Sequence, residues 1–239
     1  MKLIKYIIIV ILLLSMSMMS SLDSETFIYK TKFRSIRAGK TSISIIPSNE
    51  KTNIIKMKSH STKFIDLVHK LRHNTTRLVN DNNYSLLTIN KNIQQGRYFD
   101  YSNSTVDYNT SKIYYQKTDK DQPIAIPFKN DIYDPFALIF YLRKLNLQIG
   151  DILTFQTYSN KKIRTVNLHI AYKETIKTPL KKTPCFVIIP KSNNGKALLK
   201  HKGSMKIWIS DDEEKLPIKI QETMKYGVLE LLLERYETK

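Results

Sequence analysis

From residue 26 onward, hydrophobic and polar residues alternate with a period of two along most of the chain. The segments TFIYKTKF (26–33) and TSISIIP (41–47) show this alternation, and RAGK between them is interpreted as a turn. A period of two, with many β-branched and aromatic residues, is typical of strands that bury one face. We therefore predict a mainly β fold, an antiparallel curved sheet or a partly open barrel. The other predicted strand segments are TNIIKMKSH, YSLLTINKNI, RYFDYSNSTVDYNTSKIYYQK, DILTFQTYS, KKIRTVNLHIAYKETI, CFVIIP, KALLK, SMKIWIS, LPIKIQET and YGVLELLLERY.

Two segments depart from the period of two and are predicted to be helical. DPFALIFYLRKLN (134–146) begins with Asp134, a residue type that caps helices, and Pro135, whose missing N–H costs nothing in a first turn. We expect this helix to plug or flank the sheet, because its apolar face is too large to leave in water. STKFIDLVHKLRH (61–73) has apolar residues at positions i, i+3, i+4 and i+7 and predicts a second helix over about 62–72.

The first 21 residues have the organisation of a secretory signal peptide. Lys2 and Lys5 precede an apolar run over residues 6–14, and Ser-rich residues follow. The run is shorter than the roughly 20 apolar residues that span a membrane, although retention as an anchor stays open. No cysteine follows the run, which excludes a lipoprotein anchor. We predict an exported protein, periplasmic or associated with the envelope, in which residues 25–239 form a single β-rich domain.

The protein is strongly basic, with a formal net charge of +18 at pH 7. Such a charge favours anionic partners in general. The positive residues are scattered along the chain rather than collected in one dense patch, so we do not expect nucleic acid as a partner. An anionic membrane surface remains an alternative.

The sequence contains no motif for catalysis or for a cofactor. It has no G-x-S-x-G elbow, Walker loop or dinucleotide fingerprint. Cys185 is the single cysteine and lies in an apolar run that is interpreted as a buried strand. His69 and His73 are four residues apart, but Lys70 stands where a metalloprotease helix has its catalytic Glu. We predict no catalytic residue, no cofactor and no metal site.

The densest group of acidic residues lies between two alternating segments, in KIWISDDEEKLPIKI (206–220). Asp211 and Asp212 can hydrogen-bond their own backbone, which favours a tight reversal. Paired catalytic carboxylates, in contrast, converge from separate positions with distinct environments. The spaced ligands and the glycine of a calcium loop are also missing. This block is therefore predicted to be a turn between two strands.

The same region resembles a known protein family. GSMKIWISDDEEKLPIKI followed by YGVLELLLERY is similar to the C-terminal signature of the exported bacterial family DUF3108, and DPFALIFYLRKLNLQIGD resembles its D-x-x-[SA]-L-x-Y-x-R helix followed by Gly-Asp. The resemblance extends over about residues 26–237. Lys181 and Lys182 stand where the family usually has a glycine. The positions that fall on the family motifs are Asp134, Tyr141, Arg143, Gly150, Trp208, Ser210, Asp211 and Asp212.

The resemblance implies a Gram-negative exported protein with a mainly β, barrel-like domain. It implies no established activity, cofactor or catalytic set. Most motif positions are expected to be structural: Asp134 to cap a helix, Gly150 to turn the chain and Trp208 to pack. Arg143 is expected either to pair with a buried acid or to meet an anionic ligand at the mouth of the sheet.

Three functional hypotheses follow. The leading one is a non-enzymatic binding protein that holds a lipid-like or extended envelope partner on a concave apolar β surface, with rim lysines for an anionic head group. The second is a structural or assembly protein that docks onto another envelope protein without a ligand cavity. The third is a hydrolase with no recognisable motif. An internal cavity would favour the first, a filled core with an exposed apolar patch the second, and a His, an acid and a hydroxyl in one cleft the third.

Overall fold

The computed structural model describes residues 23–179, 181–193 and 203–239. The predicted signal peptide and the predicted strand KALLK lie outside these residues. Within the described part of the chain, fifteen strands form one sheet. They are β1 (Glu25–Phe33), β2 (Ile36–Asn49), β3 (Thr52–Ser61), β4 (Leu71–Asn80), β5 (Leu86–Gln95), β6 (Tyr98–Asp107), β7 (Lys112–Lys117), β8 (Ile124–Pro127), β9 (Ile132–Tyr133), β10 (Ile152–Ser159), β11 (Lys162–Lys177), β12 (Lys182–Ser192), β13 (Ser204–Ser210), β14 (Pro217–Met224) and β15 (Gly227–Thr238).

The sheet is curved but is not closed into a barrel. Its strand order is β8-β7-β6-β5-β4-β3-β2-β1-β15-β14-β13-β12-β11-β10-β9. Every neighbouring pair is antiparallel except β9 and β10, which are parallel. The predicted mainly β, antiparallel curved sheet is confirmed.

Two helices connect strands at opposite ends of the sheet. Helix α1 (Lys63–His69) joins β3 to β4, and helix α2 (Pro135–Tyr141), followed by the 3₁₀ turn Leu142–Lys144, lies between β9 and β10. Because connections alternate between the two ends of an antiparallel sheet, they define two rims. Among the described residues, the α1 rim is defined by segments 34–37, 62–70, 95–99, 117–121, 159–163 and 224–227. Over the same described part of the chain, the α2 rim consists of α2 with residues 142–151 and of segments 50–51, 81–85, 108–111, 128–131, 178–179 and 211–216.

The core fills the concave side of the sheet at the α2 rim. Alternate residues of the central strands, such as Phe27 and Ile43, are fully buried there. The buried residues of α2 pack onto them, and the rings of Phe27 and Phe140 are 5.0 Å apart. Helix α2 therefore plugs this end of the sheet, because its apolar face is removed from water only on the concave side.

Helix α1 is shorter than predicted and none of its residues is buried. It ends at His69, and the predicted continuation to residue 72 is wrong, because Leu71 and Arg72 belong to β4. The amide of Leu71 donates to Ser61 Oγ over 2.8 Å, so sheet geometry replaces helical bonding at this point. Among the described residues, neither helix has the length and apolar character needed to cross a membrane.

The turn between β1 and β2 lies before RAGK rather than within it. Arg34 and Ser35 have φ values of 49° and 67°, the left-handed conformation of a tight hairpin. RAGK is therefore part of β2. Its Gly39 is required by close packing, since a Cβ there would lie 2.2 Å from the carbonyl oxygen of His60.

Candidate functional site

Asp134 joins the start of α2 to the inner face of the sheet. Its Oδ1 accepts hydrogen bonds from the amides of Phe136 at 2.9 Å and Ala137 at 3.2 Å, which confirms the predicted cap. The same oxygen accepts a hydrogen bond from Nε of Arg77 on β4, and both side chains are buried. The sequence did not identify Arg77 as the partner, because a basic residue on an alternating strand is most often exposed.

Arg143 pairs with an acidic residue, which was one of the two roles predicted for it. Its Nη1 and Nη2 donate to the two carboxylate oxygens of Glu25 over 2.7 Å each, and its Nε donates to the carbonyl oxygen of Glu214 over 3.1 Å. Tyr236 adds a hydrogen bond to Glu25. Burial raises the pKa of Glu25, but the hydrogen bonds from Arg143 and Tyr236 outweigh this effect and the net shift is downward. Arg143 thus ties the 3₁₀ turn to β1 and to the turn after β13.

Tyr141 and Gly150 also have structural roles in the α2 rim. The ring of Tyr141 stacks with those of Tyr84 at 6.2 Å and Tyr133 at 5.8 Å. Gly150 has a φ of +98° and its amide donates to the carbonyl oxygen of Ile170 over 2.8 Å. No atom would lie within 4 Å of a Cβ at this position, so the backbone conformation alone requires glycine.

The acidic block forms the turn between β13 and β14, as predicted. Ser210 Oγ donates to Asp212 Oδ1 over 2.6 Å and accepts from the amide of Leu216 over 2.7 Å. Asp212 Oδ1 also accepts from the amide of Lys215. Asp211 lies 2.5 Å from Lys173 Nζ. The carboxylates therefore bond the backbone of the turn and neighbouring lysines, and they do not converge on a cleft.

Trp208 packs within the sheet close to this turn. Its indole Nε1 donates to Glu174 Oε2 over 2.9 Å, and Lys219 Nζ lies 4.6 Å from its ring centre. The family-motif positions thus hold the α2 rim and the adjoining strands together, and none of them lines the cavity described next.

A cavity of about 330 Å³ lies on the concave side near the α1 rim. One wall is formed by β5, β6 and β7, and the other by the β10–β11 hairpin. Its charged lining residues are Lys91, Asp100, Lys117 and Lys161, and its aromatic lining residues are Tyr98, Tyr115 and Tyr158.

The register of the strands explains why charged residues face inward here. Lys91 pairs with Ser102 across β5 and β6, and Ser102 pairs with Lys117 across β6 and β7. Directly paired residues point to the same face, so the three form a row across the cavity wall. Sequence reasoning missed this row, although Lys91 lies in phase with Ile89 and Ile93 and its inward direction follows from the period of two.

The β10–β11 hairpin crosses over to this wall. The hydroxyls of Ser104 and Tyr158 are hydrogen-bonded over 3.0 Å, and Lys161 Nζ lies 5.3 Å from the ring centre of Tyr115. These two contacts join strands that lie near the two opposite edges of the sheet. They give the cavity two facing walls.

The cavity carries more positive than negative charge. Burial lowers the pKa of Lys91, Arg77 adds to this effect, and Asp134 and Asp100 oppose it. Among the described residues Lys91 Nζ has no hydrogen-bond or ion-pair partner. Lys117 pairs with Asp119 over 2.9 Å. Oδ1 of Asp100 is buried and has no hydrogen-bond partner in the described part of the chain. The arrangement offers an unpaired ammonium and hydroxyl groups to an anion.

The other candidate groups of the sequence do not form a site. His69 ends α1 and His73 lies on β4, so they do not share a helix face. Within residues 23–179, 181–193 and 203–239, no three His, Cys, Asp or Glu side chains lie close enough to hold a metal ion. Cys185 is buried in β12, as predicted, and burial raises the pKa of its thiol to about 12. The thiol is therefore protonated at neutral pH and is a poor nucleophile.

The fold and the cavity define a class: a barrel-like sheet that is plugged by a helix at one end and has a basic cavity near the other. The sequence matches the family described as "Protein of unknown function (DUF3108)" over residues 28–234, so the chain belongs to this family and the resemblance is confirmed. No curated protein matches the sequence.

Several solved structures resemble this one, and two of them show the extent of the likeness. The first is the crystal structure of a β-barrel-like protein of domain of unknown function DUF1849 from Brucella abortus, with a TM-score of 0.62 and 7% sequence identity over 91% of this chain and 98% of that chain. At this identity the likeness shows the fold alone. The second is a hypothetical protein, CT021, from Chlamydia trachomatis, with a TM-score of 0.40 and 11% identity over 90% of this chain and 86% of that chain.

Proposed function

We propose that this protein is a non-enzymatic binding protein of the periplasm or envelope. It holds the anionic group of a small molecule or of a lipid-like molecule in the cavity near the α1 rim. The observation that carries the proposal is the partly buried ammonium of Lys91, which has no partner among the described residues and faces a cavity shared with Lys117 and Lys161. An ammonium that has lost part of its hydration gains most from an anion in direct contact.

The cavity supports a ligand with a phosphate or carboxylate and neighbouring hydroxyls. Its volume of about 330 Å³ is at the lower end of the range for small-molecule sites. The hydroxyl of Tyr98 and the amide of Asn160 face the cavity and can contact the rest of such a ligand. The apolar concave surface that the sequence led us to expect is covered by α2. The proposal therefore places a head group, rather than an acyl chain, in the cavity.

The same geometry bears on the two other hypotheses. An assembly protein without a cavity would have a filled interior, so the cavity favours the binding protein. A hydrolase would bring a His, an acid and a hydroxyl together. His73 is on the inner face, but its Nε2 has no hydrogen-bond partner among the described residues. We assign no catalytic role to it.

Native mass spectrometry of the protein, gently purified from envelope extracts of its host, tests the proposal. We expect a discrete added mass. Loss of this mass on organic extraction would identify a lipid-like ligand, and its loss only at high salt would identify a small anion. Lys91→Gln is expected to weaken the affinity for the anion at least about tenfold and thereby to lower the loaded fraction, because a hydrogen bond to a charged group contributes roughly 1.5–3 kcal/mol.

The matched control is Lys112→Gln, an exposed lysine at the other end of β7. This variant is expected to carry the ligand at the level of the unmodified protein. A bare mass under every extraction condition, or equal losses in the two variants, would contradict the proposal.

A further inference from the structure

Helix α1 presents an apolar face to solvent. Phe64, Leu67 and Val68 are 74%, 84% and 87% exposed, and their spacing places them on one side of the helix. The helix is nevertheless held in place, since Asp66 pairs with Arg72 on β4 through two charge-assisted hydrogen bonds. An ordered element with its large apolar side chains outward marks an interaction surface.

The apolar surface continues onto the turns beside α1. The amide of Thr62 donates to the carbonyl oxygen of Ala38, and the amide of Gly96 donates to that of Lys70, so α1 is bonded to both neighbouring segments. Those segments carry Ile36 and Tyr98, which are 64% and 57% exposed. Phe99 and Tyr226 are further exposed apolar residues of this rim.

The charge of the α1 rim is strongly positive. Its acidic residues are Asp66, Asp119 and Asp121. Two of them, Asp66 and Asp119, are already paired with a basic residue. Its basic residues are Arg34, Arg37, Lys63, Lys70, Arg97, Lys117, Lys120, Lys161, Lys162 and Lys225. The acidic block of residues 211–214 lies on the α2 rim, at the other end of the strands. Over the described residues the two rims therefore differ in charge, and the excess of positive charge surrounds the exposed apolar helix.

We infer that the α1 rim docks onto the surface of an anionic lipid bilayer. Phe64, Leu67 and Val68 enter the boundary between head groups and acyl chains, and the surrounding lysines and arginines contact lipid phosphates. A bilayer fits this combination because it offers an apolar layer directly beneath a dense layer of negative charge. The inference does not depend on the cavity. Tyr98, Lys117 and Lys161 belong to both, however, so docking would turn the cavity towards the lipid head groups.

A local fluorescent probe on the full chain tests the inference. Cys185 is fully buried, so Leu67→Cys adds the one accessible thiol among the described residues for an environment-sensitive fluorophore. We expect its emission to increase and shift to the blue with vesicles of phosphatidylglycerol and phosphatidylethanolamine, but not with vesicles of phosphatidylcholine alone. The matched control is Ile149→Cys, an exposed apolar position of the α2 rim, whose probe is expected not to respond. This readout reports on α1 even if residues 1–22 also attach to the vesicles.

Charge removal provides the second measurement. Lys63→Gln together with Lys70→Gln is expected to weaken the affinity of the position-67 probe for anionic vesicles, about fivefold for each lysine. The control pair is Lys112→Gln with Lys129→Gln, at the opposite end of the sheet, and should leave the affinity unchanged. The inference would be overturned by no response at position 67, by equal responses at positions 67 and 149, or by equal responses to both kinds of vesicle. A response at position 67 to envelope proteins but not to vesicles would also overturn it and would assign the surface to a protein partner.

Discussion

Glu25 accepts hydrogen bonds from Arg143 and from Tyr236, two residues that are far from it in sequence. The side chains of Arg143 and Glu25 are 15% and 22% exposed, so solvent screens their interaction only in part. The sequence did predict a pairing role as one alternative for Arg143. It did not name Glu25, because the contact joins the 3₁₀ turn after α2 to β1, and two segments so distant in sequence meet only when α2 packs on the sheet.

Replacing Arg143 therefore tests a structural role rather than a binding role. Arg143→Ala is expected to lower the free energy of unfolding by about 2 kcal/mol, because Glu25 loses its charged partner. Lys144→Ala, which removes a more exposed ion pair with Asp81, is expected to cost less than about 1 kcal/mol. Urea denaturation measures both. The added mass in native spectra should be the same for Arg143→Ala as for the unmodified protein, and a loss of that mass would show that Arg143 contacts the ligand.

The effect of Arg143→Ala should also depend on pH. The folded-state pKa of Glu25 lies below the ordinary value of 4.5, so the pair stabilises the fold above that pH. This contribution is lost as the pH falls through the folded-state pKa. We therefore expect the difference in the free energy of unfolding between the unmodified protein and Arg143→Ala, measured by urea denaturation, to shrink as the pH falls below 4.5.

At the scale of elements, helix α2 and the β13–β14 turn were predictable because their signals are local. Asp134 followed by Pro135 marks a helix start, and consecutive aspartates mark a reversal. The end of α1 was not predictable in this way. The bonds of Leu71 to Ser61 and of Gly96 to Lys70 end that helix, and both depend on strand pairing. The cavity could not be predicted from local sequence either, since its two walls come from distant strands.

The β13–β14 turn depends on Ser210 more than on the acids beside it. Ser210 is fully buried, and its Oγ is the acceptor for the amide of Leu216. Ser210→Ala leaves this buried amide unpaired and is expected to lower the free energy of unfolding by about 1–3 kcal/mol. Glu213→Ala, in the exposed part of the same turn, should change it by less than about 0.5 kcal/mol. Equal effects in thermal or urea unfolding would contradict this account.

At the scale of the molecule, the strands lie across the sheet in the order that they have along the chain, except that the order begins at β9 rather than at β1. Reading across the sheet gives β9 to β15 and then β1 to β8. The first and last strands therefore pair in the middle of the sheet, while the consecutive strands β8 and β9 form its two edges. Period and composition predicted a curved antiparallel sheet. They could not show where it opens, since every strand has the same pattern.

A circular permutant tests the importance of this arrangement for folding. The chain would be joined from Lys239 to Asp23 and opened between Lys129 and Asn130. The pairing of β1 with β15 then becomes local in sequence, as all other pairings already are. Because folding rates fall as contacting residues become more distant in sequence, we expect this permutant to fold faster than the unmodified order in stopped-flow refolding. A permutant opened at residues 108–111 keeps one distant pairing, between β6 and β7, and is expected to gain little. Equal rates for the two permutants would contradict the argument.

The pairing of β1 with β15 also sets the mechanical weakness of the protein. Glu25 pairs with Thr238, so the two strands start and end at the same rim, and Ser24 and Lys239 exchange backbone hydrogen bonds there. A force that pulls Ser24 and Lys239 apart acts along the hydrogen bonds between β1 and β15 and breaks them sequentially, one pair at a time. The separation would begin between β1 and β15 in the middle of the sheet, with β1 to β8 on one side and β9 to β15 on the other. Tension between Ser24 and Lys239 would thus open the β1–β15 pairing first and at modest force, before the contacts of Arg77 with Asp134 and of Ser104 with Tyr158 that also join the two halves.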